Sequence, residues 1–532
     1  MEDGQVLLDM RTARYALATE HGKCTLHLWG EERNLVRRVS AADARGNPRA
    51  RSLRLTVHRF GQTRPSSLDL LGDADRRTPT TREATRTRFL RTLERVMLRG
   101  RDDWGNWKAD GFRTAMDLEK SFGPAYARGS LVQGQQAWAV IAVNATETQA
   151  TVDGILTLGV LWLAHCRENA GGRRLYRGLR VIVPRGMAAL TLSRLPWMNP
   201  DAAQWELWEL DEKTEELEQR DPSDHGNLAT RLVHAPNEAA ARERFAGAAA
   251  QVMALVPPPT RELVEQRIRS GAEMAFLLHG LEFARVRTGY AGASFNRVHQ
   301  ITFGAGPNET PLTEDNAAEL RELVARLFAR RTAGEIKTLR PAPNPRGQES
   351  RPPQSGAPKP AARDPLYRMH PERWLESVLR RDISLIDAHL DPAHVYTQVP
   401  AFAAADRGML DLLGVDRDGR LAVIELKADE DLHLALQGLD YWVRVRWHHQ
   451  QNPDPSSGLG EFQRHGYFGG VRLAEGAPRL YLVAPALRVH PATDVVLRYL
   501  SPRVDWVLVA IGERWRQQVK VVWRKRSDDP AR

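Results

Sequence analysis

The chain has 532 residues, two cysteines, and 76 Lys plus Arg against 66 Asp plus Glu, a formal charge of +10. That length accommodates three or four domains, each with its own core. Cys24 and Cys166 are too few for a disulfide framework or a Cys-based zinc site, and no apolar run approaches the ~20 residues that span a bilayer. The start, Met1-Glu2-Asp3-Gly4-Gln5, lacks a signal peptide's pattern, so a cytoplasmic protein with no membrane contact is expected. The positive balance mildly favours a polyanionic partner.

Residues 1–75 read as a small β-rich module. Tyr15-Ala16-Leu17, Cys24 to Trp29 and Leu53 to Val57 are short strand patterns between Gly and polar turns. Residues 76–230 form the next unit. Thr80-Thr81-Arg82-Glu83 caps a helix through Phe89, Leu90, Leu93 and Val96. Trp138 to Asn144 is an apolar strand, Ile155 to Cys166 an apolar helix, and Leu179 to Val183 a further strand. Glu206 to Asp221 is strongly acidic and reads as a solvated excursion.

Residues 231–338 read as an α+β domain of unknown role. A helix from Asn237 to Leu255 stops at Pro257-Pro258-Pro259, and strands follow at Phe276 to Leu278, Leu281 to Val286 and His299 to Gly304. Leu320, Leu323, Val324 and Leu327 have helical spacing after the cap Thr313. Glu282, Arg285 and Arg287 alternate along one strand as a charged face. Residues 339–365 are a linker: eight prolines lie between Arg340 and Pro365. Such a tether is semi-rigid and is expected to leave the orientation of its neighbours free.

Residues 366–532 carry the chemistry. Asp418-Gly419 between apolar runs marks a hairpin, and a three-residue loop Arg417-Asp418-Gly419 sets Asp416 against Arg420. Counting back two by two, Asp411 falls opposite Glu425, with Lys427 on the same face. Two nearby carboxylates repel unless a cation sits between them. Mg²⁺ suits the pair, because it binds one or two carboxylates and fills its shell with water and phosphate. Lysine is scarce, nine residues in the whole chain, so Lys427 is not one of many solvated lysines.

Asp411 with Glu425-Leu426-Lys427 resembles the signature of the PD-(D/E)xK nuclease superfamily, the restriction-endonuclease-like fold. The nearest branch is that of the archaeal mismatch and single-strand nucleases, with RecB-like nucleases further off. Pro371 to Leu379 matches the family's leading helix with Glu376 in place, and Gln437-Gly438-Leu439-Asp440-Tyr441 matches its Q-x-x-x-Y helix. The resemblance covers residues 366 to 524. It implies a mixed sheet flanked by helices, and Asp411, Glu425 and the Leu426 carbonyl holding Mg²⁺ or Mn²⁺. It further implies Lys427 positioning the attacking water and Glu376 as a third acid. Gln437 and Tyr441 would support the site, and Arg444 and Arg446 would contact nucleic acid, DNA ahead of RNA.

Set beneath this signature, Trp138 to Asn144 looks like a degenerate first copy. Ala142 then stands at Glu425, Asn144 at Lys427, Leu156 at Leu439, Glu94 near Glu376, and Asp117 at Asp411 if the loop is longer. The whole is expected to be an α/β metal-dependent nuclease whose N-terminal domains serve recognition or assembly through a protein partner or homo-oligomer. The rival reading is a non-catalytic nucleic-acid-binding protein, or a sensor or scaffold subunit of a defence or repair system.

Overall fold

The computed structural model describes residues 8, 14–20, 23–29, 34–43, 53–58, 65–70, 79–98, 107–114, 122–222, 231–291, 296–305, 309–331, 365–403 and 406–529. These residues fall into two units. The first, centred on residues 1–99, holds a five-stranded antiparallel sheet and one helix. Its strands are β1 (Arg14–Glu20), β2 (Lys23–Trp29), β3 (Asn34–Asp43), β4 (Leu53–His58) and β5 (Ser66–Leu70), and α1 is Pro79–Leu98. Leu26, Leu28, Leu55, Val57 and Leu68 make its sheet core by period-two alternation. α1, with Glu94, groups with this unit and not with the sheet that holds Trp138 to Val143.

The second unit carries two six-strand sets of one topology. The first set comprises β6 (Lys108–Arg113), β7 (Tyr126–Gln133), β8 (Gln136–Val143), β9 (Leu175–Pro184), β10 (Gln204–Asp211) and β11 (Glu216–Arg220). Helices α2 (Gln149–Asp153) and α3 (Ile155–Glu168) follow β8, and α4 (Ala189–Arg194) follows β9. The acidic stretch expected to be a solvated excursion is thus β10 and β11. Leu207, Trp208, Leu210 and Leu217 are buried, and Glu206 pairs with Arg180 at 2.6 Å. The buried apolar positions outweigh the net charge.

β12 (Arg231–Leu232) edges the second sheet. Between them in sequence, α5 (Glu238–Leu255) and α6 (Pro258–Arg261) precede a five-stranded antiparallel sheet. Its strands are β13 (Val264–Ser270), β14 (Glu273–Leu278), β15 (Leu281–Ala291), β16 (Asn296–Phe303) and β17 (Thr310–Pro311), and α7 (Ala317–Arg331) closes it. Phe245, Val252, Phe276, Phe283, Leu320 and Leu327 meet in this middle core. Glu282 and Arg285 are ion-paired at 2.5 Å, and Arg287 reaches Glu273 at 2.9 Å, so this charged face is internally neutralised.

The C-terminal part contains α8 (Pro365–Arg368), α9 (Pro371–Arg381), β18 (Tyr396–Ala403), β19 (Asp406–Val415), β20 (Leu421–Leu426) and α10 (Leu434–His449). It ends with α11 (Glu461–Arg464), β21 (Arg479–Pro485), α12 (Pro491–Arg498), β22 (Trp506–Ile511) and β23 (Val521–Arg526). β20 is buried at every position, as a central strand covered on both faces must be. Trp374, Leu375 and Leu379 of α9 cover Ala422, Ile424 and Leu426 on one face, and α10 lies on the other.

The two sheets have corresponding strand orders, β11-β10-β9-β8-β7-β6 and β23-β22-β21-β20-β19-β18. In each, a hairpin leads into two parallel steps and an antiparallel edge. They also pack reciprocally: α3 lies against α12, and α10 against α4. Met198 bridges Leu500, and the main chain is tied by Asn199 N–H to Tyr499 O at 2.8 Å and Ser501 N–H to Trp197 O at 2.7 Å. Arg194 of α4 grips Asp440 of α10 with two bonds of 2.8 and 2.7 Å.

The linker at 339–365 lies outside the described residues apart from Pro365, yet the orientation across it is fixed. Arg331 of α7 donates to His279 O at 2.6 Å and to Leu366 O at 2.8 Å, and lies 4.7 Å above the Trp374 ring. A Cβ on Gly280 would fall 2.1 Å from Arg373 O, so only glycine lets β14–β15 approach α9 this closely.

Candidate active site

The carboxylate pair follows from one hairpin. Asp416 N–H donates to Arg420 O at 2.9 Å, Gly419 N–H to Asp416 O at 3.0 Å, and Asp416 Oδ1 accepts from Arg420 N–H at 2.8 Å. Gly419 has φ +84°, and a Cβ there would come within 2.2 Å of Arg472 O. This is the expected three-residue loop. With Val415 opposite Leu421 and Leu412 opposite Ile424, the ladder carries Asp411 opposite Glu425.

Asp411 Oδ2 accepts from Leu426 N–H at 2.9 Å, which fixes its carboxyl beside the end of β20. Glu425 is 3 % exposed. Its Oε1 takes Lys427 Nζ at 3.0 Å, whereas its buried Oε2 has no hydrogen-bond partner among the described residues. Lys427 also reaches Asp431 at 3.6 Å.

Burial, and then Asp411, push the Glu425 carboxyl up to about 8, against the pull of Lys427. Burial likewise raises Asp411, opposed by the Leu426 N–H and Lys427. Burial alone would lower the Lys427 ammonium, but Glu425 and then Asp431 hold it above its ordinary value. Tyr441 is raised by burial, then by Glu425 and Asp411, which places it in the field of the carboxylate pair. Gln437 Oε1, one turn away on α10, is buried without a partner among the described residues.

Glu376 is buried on α9, and its Oε1 accepts from Arg267 Nη1 of β13 at 2.8 Å. Burial raises its carboxyl, Arg267 lowers it, and Asp411 raises it again. Glu372, one helical turn earlier, also acts on Asp411. Its place four residues before Glu376 was the sequence signal for it. Arg267 had no such signal, because it lies in another domain.

The two arginines expected to contact nucleic acid sit differently on α10. Arg444 is 7 % exposed and faces inward from α10. Arg446 is half-buried, with its guanidinium 4.6 Å over the Trp197 ring. A helix in contact with both a sheet and α4 has little free face.

The first sheet reproduces the scaffold but not the chemistry. Leu179 pairs with Trp205 as Leu480 pairs with Trp506, and Ala139 pairs with Leu179 as Val423 pairs with Leu480. Ile141 therefore stands at Glu425 and Val143 at Lys427, one residue away from the expected Ala142 and Asn144. A slip of one would reverse which side chains face the helix. Gly159 of α3 confirms the register: a Cβ there would meet Leu179 and Ile141, as one on Gly438 would meet Leu480, Leu482 and Glu425. Leu439 accordingly corresponds to Val160, not Leu156.

Since Arg128 pairs with Ile141, the residue at Asp411 is an arginine, 1 % exposed, with its guanidinium 4.5 Å over Phe122 and 5.8 Å from Trp162. Asp117, expected there, lies outside the described residues.

Among the described residues, no group of three or more His, Cys, Asp and Glu side chains makes a ready metal cage. The pair Asp411 and Glu425, with an unmatched buried oxygen, fits an ion that takes few protein ligands and keeps its waters. No helix among the described residues is long and apolar enough to cross a membrane. Comparison with protein-family models, with curated proteins and with solved structures finds no match to this chain.

Proposed function

We propose that the chain is a metal-dependent nuclease that hydrolyses phosphodiester bonds, DNA ahead of RNA, through a PD-(D/E)xK-type core in residues 366–532. The observation that carries this reading is Glu425: a buried carboxylate opposite Asp411, with one oxygen on Lys427 and the other unmatched. Burying such a charge is costly unless it is compensated. Asp411, Glu425 and the Leu426 carbonyl would hold Mg²⁺ or Mn²⁺. The ion supplies a more acidic water and offsets charge building on phosphorus.

The protein's own groups do the rest. Lys427, held by Glu425 and Asp431, presents an ammonium at the carboxylate pair and can orient the attacking water. Glu376 stands as the third acid, and Gln437 and Tyr441 line the α10 side. Half-buried Arg446 and the exposed Arg514, Lys520 and Arg526 are the basic groups open to phosphate in this reading. The first sheet, with Arg128 at the acidic position, serves binding or assembly in this reading.

The test is incubation of the full chain with linear, circular, nicked and single-stranded DNA in Mg²⁺, Mn²⁺ or EDTA. Cleavage should require the metal and vanish in Asp411→Ala and Glu425→Ala. Undiminished cleavage in EDTA would overturn the metal mechanism.

A further inference from the structure

We infer that Arg267, in the middle domain, is a positioning residue for the nuclease site: it holds the side chain of Glu376, the third acid of the proposed site, in place on α9, so the site is completed by a second domain. The inference rests on the nuclease reading and adds to it a residue 109 positions away from its partner.

The geometry is that of a clamp. Arg267 is 5 % exposed. Its Nε and Nη2 are spent on Glu265, at 2.8 and 3.2 Å, in the two-pronged arrangement that a guanidinium favours. The remaining Nη1 points at Glu376 Oε1, at 2.8 Å. Glu265 is itself bonded by Arg380 of α9, so the chain of charges runs from α9 to β13 and back to α9. Arg381 Nη2 adds a bond to Leu263 O at 2.8 Å.

A buried carboxylate without this partner would take up a proton or swing towards another cation. Either would change the charge that Glu376 presents to Asp411, whose field it feels. The packing around the clamp is equally specific: His279 stacks on Trp374 at 5.1 Å, two residues before Glu376. Arginine rather than lysine suits the task, since only a planar fork can hold Glu265 with two donors and keep a third for Glu376.

The experiment uses the full chain, a DNA duplex, single-turnover cleavage in Mg²⁺, and duplex affinity in Ca²⁺. Arg267→Met should slow cleavage by ~10²-fold, the scale of a misplaced catalytic group, with duplex affinity unchanged. In a Glu376→Gln background the same substitution should cost almost nothing further, because two residues acting as one unit are not additive. Arg267→Lys, which keeps charge but not the fork, should fall between wild type and Arg267→Met.

A second readout needs no activity. In EDTA, the unfolding-temperature losses of Arg267→Met and Glu376→Gln should be strongly non-additive. If Arg267→Met does not fold, Glu265→Gln, which loosens the anchor and leaves Arg267 in place, should slow cleavage while preserving affinity. Wild-type rates for Arg267→Met, or equal losses in both backgrounds, overturn the inference. An inactive wild type overturns the nuclease reading instead, and that arm reports it separately.

Discussion

Arg128 occupies in the first sheet the position that Asp411 occupies in the second. Each stands on the outer strand of a hairpin, opposite the residue that packs under a helix glycine: Ile141 beneath Gly159, and Glu425 beneath Gly438. The same backbone thus carries a cation against an apolar partner in one half and an acid against an acid in the other.

Arg128→Met should leave cleavage per folded molecule unchanged. It should cost about 1–2 kcal/mol of stability through the lost ring contacts. Thermal unfolding beside single-turnover rates checks both parts; a collapse in rate without a loss of fold would mean that the first sheet contributes to catalysis.

Glu425 should impose a pH signature on the metal-free protein. Its carboxyl is raised from 4.5 to about 8, so the folded state binds this proton more tightly than the unfolded chain does. The resulting stability is complete below 4.5 and lost as pH rises through about 8. In EDTA the unfolding temperature should fall across that window, and Glu425→Gln should flatten the fall. Mg²⁺ should raise it more near the top of the window than near the bottom, since the ionised pair attracts the ion. An equal shift at both ends would place the ion elsewhere.

Lys427→Ala should slow the chemical step by ~10²-fold or more, as expected when one preorganised electrostatic group is removed. Duplex affinity in Ca²⁺ should change little. Lys427→Arg should not rescue fully, because a planar guanidinium places its donors differently. Single-turnover rates decide the matter, and a wild-type rate for the alanine variant would remove Lys427 from the mechanism.

Arg194→Ala should destabilise the chain by roughly 3–5 kcal/mol, because it strands a largely buried Asp440. The pair is 5 % and 12 % exposed at its side chains, so solvent screens it little. Asp440 shares α10 with Gln437 and Tyr441. Cleavage should therefore fall at temperatures below the unfolding transition too, and a rate that tracks only the folded fraction would deny that coupling.

The hairpin was legible because every step of it is local. Gly419 sets the loop, alternation sets the faces, and counting then places Asp411 against Glu425. The first copy was legible as a pattern but not in register: the identity of Ala139-Val140-Ile141 with Ala422-Val423-Ile424 favours one alignment, whereas the strand pairing to β9 shifts it by one and sets Ala139 at Val423. Arg128 had no signal because the expected acid was sought at Asp117 across a longer loop, whereas β7 and β8 meet in a tight turn that pairs Gln133 with Gln136. The stacking of Arg446 on Trp197 depends on a segment far upstream, as the 246-residue separation of Arg194 and Asp440 shows. Arg267 was beyond reach as well, since nothing near it in sequence says what it will face.

The reciprocal seating of α3 on α12 and α10 on α4 has a consequence for stoichiometry. Two subunits that meet by diffusion come apart on dilution, and their output then rises with more than the first power of concentration. Here the two halves are joined by peptide bonds and meet at a fixed effective concentration. Each acidic centre always arrives with one twin that carries Arg128 in place of the acid, in a ratio that expression level cannot alter, and the pairing introduces no second-order step.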